Sequence, residues 1–417
     1  MPVRDLGPSP QAGGAGGGLS LLVFLCFWWL SLAVPRAQDM AALQALLREA
    51  DAASWHAGIC VYDLAADTLV VAYNAQKRMR PASVEKVVTA VCALDQLGKE
   101  HLLRTRVYLE GTVEEAILHG NLRIVGGYDP MVSYADVKSI ARSVREAGID
   151  SIDGYVVGDV SMTEYKYLGS GWCWDDVPSD VVPYLSPLFF NHELPVDNPK
   201  GKFLQQPEAY FLDVLVREMR AMGIGLSPFP SRIVMTASPD PGGQEIAAAG
   251  HSLEQVLQLM MKKSDNLHAE AVFFQFGHTA EAAAEQMEQT LIRAGVEEDS
   301  YAIADGSGLS LYNYVTPRAL VQLLRYAYRR PAIYGALYPA LPVAGVDGTL
   351  ERRMKNTKAA GNVHAKTGTV TGVSTLAGYV TTHDGRLLAF AILLNGASSQ
   401  KEARNFQDRL CIALATR

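Results

Sequence analysis

Apolar residues recur along this chain with two periods, and the pattern predicts both helices and strands. Repeats every three to four residues indicate amphipathic helices, whereas short β-branched runs between turn residues indicate strands. The predicted helices cover residues 40–53, 83–97, 135–147, 207–222, 253–261, 267–276 and 398–413. The predicted strands cover residues 58–63, 69–73, 104–109, 113–118, 122–125, 154–158, 364–370, 376–381 and 386–395. Because helices and antiparallel strands come from both ends of the chain, the pattern predicts one α+β domain interrupted by an insertion.

The pattern also places the insertion. Between residues 102 and 205 short strands alternate with Gly, Pro and Asp turns around a single helix, unlike the segments on either side. We therefore expect a discontinuous main domain formed by residues 38–101 and 206–417. Residues 102–205 are expected to form the inserted domain.

The first 37 residues differ in composition from the rest of the chain. A Gly-rich stretch leads into the apolar run Leu19–Val34, which is shorter than the roughly 20 residues that a membrane-spanning helix needs, and small residues follow up to Ala37. This arrangement predicts a secretory signal peptide over residues 1–37, with an uncleaved N-terminal anchor as the alternative. Either reading places the rest of the chain outside the cytoplasm, in the periplasm or an equivalent compartment.

Composition excludes several classes of function. The 37 basic and 44 acidic residues give a net charge of −7 without a basic run, so nucleic-acid binding is not expected. The nine histidines form no His-Glu-x-x-His motif, and His268 and Glu270 are two residues apart on a helix, so no metal site is predicted. Gly306 and Gly308 lack the context of a dinucleotide site, and no cofactor is expected. The cysteines after the leader are expected to be free thiols.

Three short motifs could carry chemistry. Ser83-Val84-Glu85-Lys86 puts a hydroxyl and an amine on one face of a helix, where the amine can act as base for the hydroxyl. Ser264-Asp265-Asn266 lies between two helices, and its simpler interpretation is a helix N-cap. Lys366-Thr367-Gly368-Thr369 begins a strand, and its simpler interpretation is an edge strand protected by a lysine. Each motif alone is weak, and Ser398-Ser399-Gln400-Lys401 also matches the first pattern.

Together, in this order and setting, the three motifs resemble those of penicillin-binding proteins and β-lactamases. The resemblance is closest to the D-alanyl-D-alanine carboxypeptidase/endopeptidase family, the low-molecular-mass penicillin-binding proteins of peptidase family S13. It extends to Gly126-Gly127-Tyr128-Asp129-Pro130, to residues 169–176 and 262–270, and to Asp305-Gly306-Ser307-Gly308-Leu309-Ser310. It implies a transpeptidase-like fold, an antiparallel sheet flanked by helices, with an inserted smaller α/β domain.

The resemblance also implies roles for the motif residues. Ser83 is expected to be the nucleophile and Lys86 its base, while Ser264 and Lys366 return a proton to the leaving group and Asn266 holds the substrate amide. Thr367, Gly368 and Thr369 are expected to bind substrate, with the charge of Lys366 and the two threonine hydroxyls attracting a carboxylate. The implied substrates are peptidoglycan stem peptides, and β-lactam antibiotics are implied covalent inhibitors.

Two alternatives stay open at this level. A β-lactamase or esterase could use the same scaffold, although the long interval between Ser83 and Ser264 contains no Glu-x-x-Leu-Asn segment. A non-catalytic peptidoglycan-binding protein is the other alternative. The balance between carboxypeptidase and endopeptidase action and the oligomeric state do not follow from the sequence.

Overall fold

The computed structural model of the chain describes residues 41–164, 166–177, 181–198, 202–234 and 243–417. The strands are β1 (His56–Asp63), β2 (Thr68–Tyr73), β3 (Leu102–Glu114), β4 (Ile117–Val125), β5 (Ser151–Asp153), β6 (Val156–Asp159), β7 (Ser231–Val234), β8 (Gln244–Ser252), β9 (Tyr301–Ala302), β10 (Tyr314–Val315), β11 (His364–Val370), β12 (Val373–Thr381) and β13 (Leu387–Asn395). The helices are α1 (residues 41–52), α2 (Glu85–Gln96), α3 (Tyr134–Glu146), α4 (Pro207–Ala221), α5 (Leu253–Lys262), α6 (Asn266–Phe273), α7 (Ala280–Arg293), α8 (Pro317–Tyr328), α9 (Pro331–Ala340) and α10 (Gln400–Thr416).

The main domain is built on a five-stranded sheet in the order β11-β12-β13-β1-β2. Every neighbouring pair in it is antiparallel, and β1 near the start of the described chain pairs with β13 near its end, with Ile59 opposite Ile392. The two ends of the chain therefore build one sheet. This arrangement confirms the expected α+β class, with an antiparallel sheet between layers of helices.

Both faces of the sheet are covered, and strand β13 shows why its sequence is a continuous apolar run. Ala389, Ala391 and Leu393 join a core that contains α2 and α5–α9, whereas Leu388 and Phe390 join a second core with α1 and α10. Successive side chains on a strand point to opposite faces, so a strand buried on both sides needs apolar residues at every position.

A second sheet with its own core forms the insertion. Its strand order is β7-β6-β4-β3-β8, with β5 also pairing with β4, and α3 and α4 pack on it. The expected boundary at residue 205 is wrong, because β8 reaches Ser252 and Phe211 and Leu215 of α4 are buried in this second core. The segment after residue 205 looked helical, and its period did not reveal which domain it packs against.

The strands predicted between residues 104 and 125 need a second correction. Instead of three strands, β3 and β4 form one long hairpin that turns at Glu115 and Ala116, both with positive φ. Turn positions of this kind usually hold Gly or Asn, so Glu115 and Ala116 did not indicate a turn. Within this hairpin Gly111 lies opposite Gly120, and a Cβ on Gly111 would come 2.2 Å from the backbone of His119.

Two further expectations concern the compartment. Among the residues that the structure describes, no helix is long and apolar enough to cross a membrane. The predicted leader over residues 1–37 lies outside the described residues. Cys60, Cys92 and Cys411 are buried free thiols, and Cys173 is a half-buried one.

Candidate active site

The first motif places its serine at the entrance to a buried helix. A single 3-10 turn, Ala82–Val84, leads into α2, and Ala82 has a φ of 47°. This left-handed conformation is unfavourable for a residue with a side chain, and such strained positions cluster at active sites. Lys86 follows one turn later, with its Nζ 3.0 Å from Ser83 Oγ. The two side chains therefore meet, as their spacing predicts.

Three oxygen atoms surround the Lys86 amine. Its Nζ lies 3.0 Å from Ser83 Oγ, 2.6 Å from Asn266 Oδ1 and 2.7 Å from the carbonyl oxygen of Ser307. Complete burial lowers the pKa of Lys86 to about 8. A neutral amine has two N–H bonds and one lone pair. In this neutral form the two N–H bonds would point to the acceptor oxygens of Asn266 and Ser307, and the lone pair would face the Ser83 hydroxyl.

Buried carboxyl groups lie behind this amine. Glu270 accepts a hydrogen bond from the backbone N–H of Ser307 at 2.9 Å, which positions the Ser307 carbonyl on Lys86. Burial, reinforced by the charge of Asp305, raises the pKa of Glu270 to about 8, and burial raises the pKa of Glu85 well above its usual value. A protonated Glu270 carries no negative charge that would hold a proton on Lys86.

The second motif forms the loop between α5 and α6. Its middle residue, Asp265, is the N-cap of α6 and accepts the backbone N–H of His268 at 2.9 Å. Asp265 is therefore a helix N-cap, which is the simpler interpretation of this motif. Ser264, with a φ of 60°, instead faces the third motif and accepts a hydrogen bond from Lys366 at 2.7 Å.

Asn266 begins α6 and uses both ends of its amide. Its oxygen accepts from Lys86, and its Nδ2 donates to the carbonyl oxygen of Val181 at 2.7 Å. The contact with Lys86 fixes the orientation of the amide, because the oxygen has to face the amine. The N–H group that is expected to hold substrate is therefore directed away from Lys86.

The third motif lies on β11, at the edge of the main sheet. Lys366 Nζ donates to Ser264 Oγ at 2.7 Å and to the carbonyl oxygen of Thr367 at 2.6 Å. Burial and the nearby charge of Lys86 hold the pKa of Lys366 well below its usual range. The positive charge expected on Lys366 is therefore disfavoured while no anion lies beside it.

Gly368 allows β11 to approach the nucleophile. A Cβ at this position would lie 2.1 Å from Thr375 Oγ1, 2.7 Å from the Pro81 carbonyl oxygen and 3.0 Å from the backbone nitrogen of Ser83. Any side chain here would force the strand away from the turn that carries Ser83. The glycine is therefore required by close packing.

A cleft of about 430 Å³ opens in front of these residues. Its lining is polar and includes Ser83, Ser264, Thr349, Arg352, Arg353, Thr367, Gly368, Thr369, Ser374, Thr375 and Arg404. Thr367 Oγ1 donates to Thr349 Oγ1 at 2.7 Å, and Thr369 is exposed to solvent. Thr367, Gly368 and Thr369 thus line the same cleft as Ser83, whereas Asn266 and Lys366 are not among its lining residues.

Behind the Ser264–Asn266 loop lies a group of potential metal ligands that the sequence did not predict. Asp265 contacts His192 Nε2 at 2.6 Å through one oxygen and His268 Nδ1 at 2.8 Å through the other. One ligand atom from each residue lies within 4.8 Å of the other two. His192 comes from the insertion and lies far from Asp265 along the chain, so no motif of neighbouring residues reveals this group.

Sequence reasoning also assigned no role to Glu270 or Ser307. Ser307 acts through its backbone carbonyl, which leaves no chemical signature in the sequence. The available signal was the resemblance of the segments 262–270 and 305–310 to the family, which marked both stretches without giving them a function.

The chain matches the D-Ala-D-Ala carboxypeptidase 3 (S13) family over residues 40–194 and 196–417. D-alanyl-D-alanine carboxypeptidase DacB of Haemophilus influenzae is 26% identical over 415 residues, covering 82% of this chain and 86% of the relative. A D-alanyl-D-alanine carboxypeptidase of an Actinomadura species is 28% identical over 439 residues, covering 86% of this chain and 81% of the relative.

The fold of the chain is also similar to that of a solved structure. Penicillin binding protein 4 (dacB) from Haemophilus influenzae superposes with a TM-score of 0.77 at 24% identity, covering 85% of this chain and 95% of that chain. The same protein has been solved in complex with a β-lactam. The family match spans almost all of the described chain and includes all three motifs. This chain is a member of the D-Ala-D-Ala carboxypeptidase (S13) family of serine peptidases.

Proposed function

We propose that this chain hydrolyses the D-Ala–D-Ala bond of peptidoglycan stem peptides through an acyl-enzyme on Ser83. The observation that carries the proposal is the position of the buried Lys86 amine, 3.0 Å from Ser83 Oγ and hydrogen-bonded to Asn266 Oδ1 and the Ser307 carbonyl, which leaves the lone pair of its neutral form to the Ser83 hydroxyl. Membership of the S13 family and the names of its relatives supply the substrate class.

In the acylation step Lys86 takes the hydroxyl proton while Ser83 Oγ attacks the carbonyl carbon of the scissile bond. A serine hydroxyl is a weak nucleophile until a base removes its proton, and a lysine with a pKa of about 8 can do so near neutral pH. The backbone N–H groups of Ser83 and Thr369 would stabilise the negative oxygen of the tetrahedral intermediate. The close packing of Gly368 against Ser83 supports this pairing.

The proton for the leaving amine would come through Ser264. Its hydroxyl gives its own proton to the departing nitrogen and takes one from Lys366, with which it is hydrogen-bonded. In deacylation water attacks the ester, its proton restores Lys366, and Lys86 returns the first proton to Ser83 Oγ. Each group thus ends the cycle in its starting protonation state.

The terminal carboxylate of the substrate would prepare Lys366 for this role. Burial and the charge of Lys86 hold the pKa of Lys366 well below its usual range, and a carboxylate entering beside it raises that pKa, so that Lys366 takes up a proton from solvent as the substrate binds. Hydroxyl groups of Thr367 and Thr369 would complete the carboxylate site. Asn266 would hold the backbone amide of the substrate, exchanging its contact with Val181 for one with the peptide.

β-Lactams would acylate the same serine, because they present a strained amide next to a carboxylate. The alternative of a β-lactamase requires rapid hydrolysis of that adduct, usually by a water molecule that a carboxylate activates. The described residues that line the cleft include no Asp or Glu. This lining favours a long-lived adduct over rapid turnover.

We also propose that the chain is exported, since its substrate lies outside the cytoplasmic membrane. The leader predicted over residues 1–37 supports export, and cell fractionation of the full chain with and without those residues tests it. Retention of the full chain in the cytoplasm would contradict this proposal.

The experiment that tests the activity combines labelled penicillin with defined muropeptides. We expect one covalent adduct on Ser83, its loss in Ser83→Ala, and release of D-alanine from a pentapeptide. Breakage of a cross-linked dimer would identify endopeptidase action in addition. A folded protein that forms no adduct would exclude the acyl-enzyme mechanism, and binding of muropeptide without cleavage would favour the non-catalytic alternative.

A further inference from the structure

We propose that His192, Asp265 and His268 form a zinc site directly behind the catalytic loop. The cluster lies outside the cleft and takes no part in the acyl-transfer steps. Its ligand atoms come from two parts of the chain that the fold brings together: the insertion supplies His192, and the loop before α6 and its first turn supply the other two.

The donor set suits zinc. Two imidazole nitrogens and one carboxylate oxygen are the ligands of many zinc sites that keep a fourth position for water. Asp265 lies between the two imidazoles, 2.6 Å from His192 Nε2 and 2.8 Å from His268 Nδ1. Zinc bonds of about 2.0–2.1 Å place neighbouring ligand atoms roughly 3.3 Å apart, so binding requires a slight widening of these contacts.

The contacts of Asp265 also allow binding. The ring nitrogens of His192 and His268 that would bind the ion are the ones that contact its carboxylate. Asp265 Oδ2 can take the ion while Oδ1 continues to cap α6.

The three proposed ligands differ in exposure, and the cluster is open to solvent on the side of His192. The side chain of His268 is 4% exposed and that of Asp265 is 18% exposed, whereas that of His192 is 32% exposed. An ion and its water ligand can therefore enter from the side of His192, with the other two ligands already held in place.

The backbone around His192 is shaped to present this ring. Asn191, His192 and Glu193 have φ values of 52°, 55° and 54°, three consecutive residues with side chains in the left-handed region. Such a conformation persists only where its surroundings impose it. Here Glu193 accepts the backbone N–H of Tyr184 at 3.0 Å, and Asn191 Nδ2 donates to the Leu194 carbonyl at 2.9 Å.

A bound ion would join the insertion to the catalytic loop. Asp265 stands between Ser264 and Asn266, so an ion held by His192 limits the movement of both neighbours. If the acyl-transfer function proposed above holds, removing zinc will slow acylation without abolishing it, because no reacting atom touches the ion.

Zinc binding by the purified full chain tests the site without any assay of activity. After treatment with a chelator the protein is dialysed against Zn²⁺, and bound metal is counted by mass spectrometry. We expect about one bound ion per chain, held by the three protein ligands and a water molecule. Co²⁺ bound in place of Zn²⁺ should give the visible absorption bands of a four-coordinate site with nitrogen and oxygen ligands.

Matched variants locate the ion. His192→Gln should lose the bound zinc and the cobalt spectrum, whereas His383→Gln, at an exposed histidine, should keep both. Circular dichroism and a thermal melt show whether His192→Gln is folded, and Asp265→Asn provides a second variant of the site. Equal zinc content in wild type and folded His192→Gln, or no bound zinc in the wild type, would overturn the proposal. Zinc binding without penicillin labelling would instead contradict only the proposed peptidase function.

Discussion

The loop Ser264–Asn266 separates two clusters of buried ionisable groups. Burial favours the neutral form in one cluster, whereas partners stabilise the charged form in the other. On one side Lys86 and Lys366 are fully buried, and burial lowers the pKa of each. On the other side Asp265 is also largely buried, yet its pKa lies well below the usual value. The difference lies in the partners, because two imidazoles and a backbone N–H stabilise the charge of Asp265.

Glu270, on α6, also shows how the pKa of a buried carboxyl group depends on its partners. It accepts backbone N–H groups of Gly306 and Ser307 but lies near Asp305, and its pKa rises to about 8. Burial therefore favours the neutral form of a carboxyl or an amine unless enough donors or opposite charges oppose it. We infer that the lysine side is arranged for proton transfer and the histidine side for holding the loop in place.

The largest effect should follow from removing the base. Lys86→Met keeps the length of the side chain but removes the amine that faces Ser83, so acylation by labelled penicillin should slow by about 10³- to 10⁴-fold. Stopped-flow or gel-based measurement of the acylation rate checks this. Lys401→Met is the matched control, because Lys401 belongs to the second Ser-x-x-Lys match and is exposed on α10. An unchanged rate in Lys86→Met would assign the base to another group.

The next largest effect should follow from a single added methyl group on β11. Gly368→Ala places a Cβ 3.0 Å from the Ser83 nitrogen and closer still to Thr375 and Pro81, so the strand has to move. A displacement of this size beside the reacting atoms is expected to slow acylation by about 10²-fold. Gly335→Ala in α9 meets open space and should leave the rate as it is. Equal rates in both variants would show that β11 can shift without consequence for the serine.

A smaller effect concerns the pH profile. Since only neutral Lys86 can take the proton, the acylation rate should rise with pH through a midpoint near 8. Glu270 titrates over the same pH range and its ionised form raises the pKa of Lys86, so Glu270→Gln should move the midpoint to lower pH by less than about one unit. Acylation rates from pH 6 to 10 check this. A midpoint that moves upward would mean that the variant disturbs the Ser307 carbonyl more than it removes charge.

The smallest catalytic effect is expected on the histidine side. Asp265→Asn retains an N-cap for α6 but loses the charged hydrogen bonds to His192 and His268, so stability should fall by about 2 kcal/mol while acylation slows by less than about tenfold. Denaturant unfolding and penicillin labelling on the same samples measure both. A loss of acylation as large as that of Lys86→Met would remove the distinction between the two sides.

Elements with strong local signals could be predicted from the sequence. Because both faces of β13 are buried, its sequence is a continuous apolar run, and the helices predicted over residues 253–261 and 267–276 end within three positions of α5 and α6. The hairpin at Glu115 and Ala116 could not be predicted, because neither residue belongs to the types that favour positive φ. The end of the insertion at Ser252 was also missed, since an amphipathic helix shows that it has a buried face and not which core covers it.

For the candidate site, the sequence by itself determined which residue types stand at Ser83, Ser264 and Lys366, and their order along the chain indicated a shared chemistry. Only the tertiary structure decided how these groups are charged and what they contact. Burial lowers the pKa of Lys86 and the charges of Asp305 and Glu270 raise it, while its amine contacts Asn266 and the carbonyl of Ser307. All of these are set by packing between distant segments. His192 reaches Asp265 for the same reason, because the fold of the insertion brings its ring to the loop. Short-range spacing thus encodes the reacting groups, whereas long-range packing sets their electrostatics.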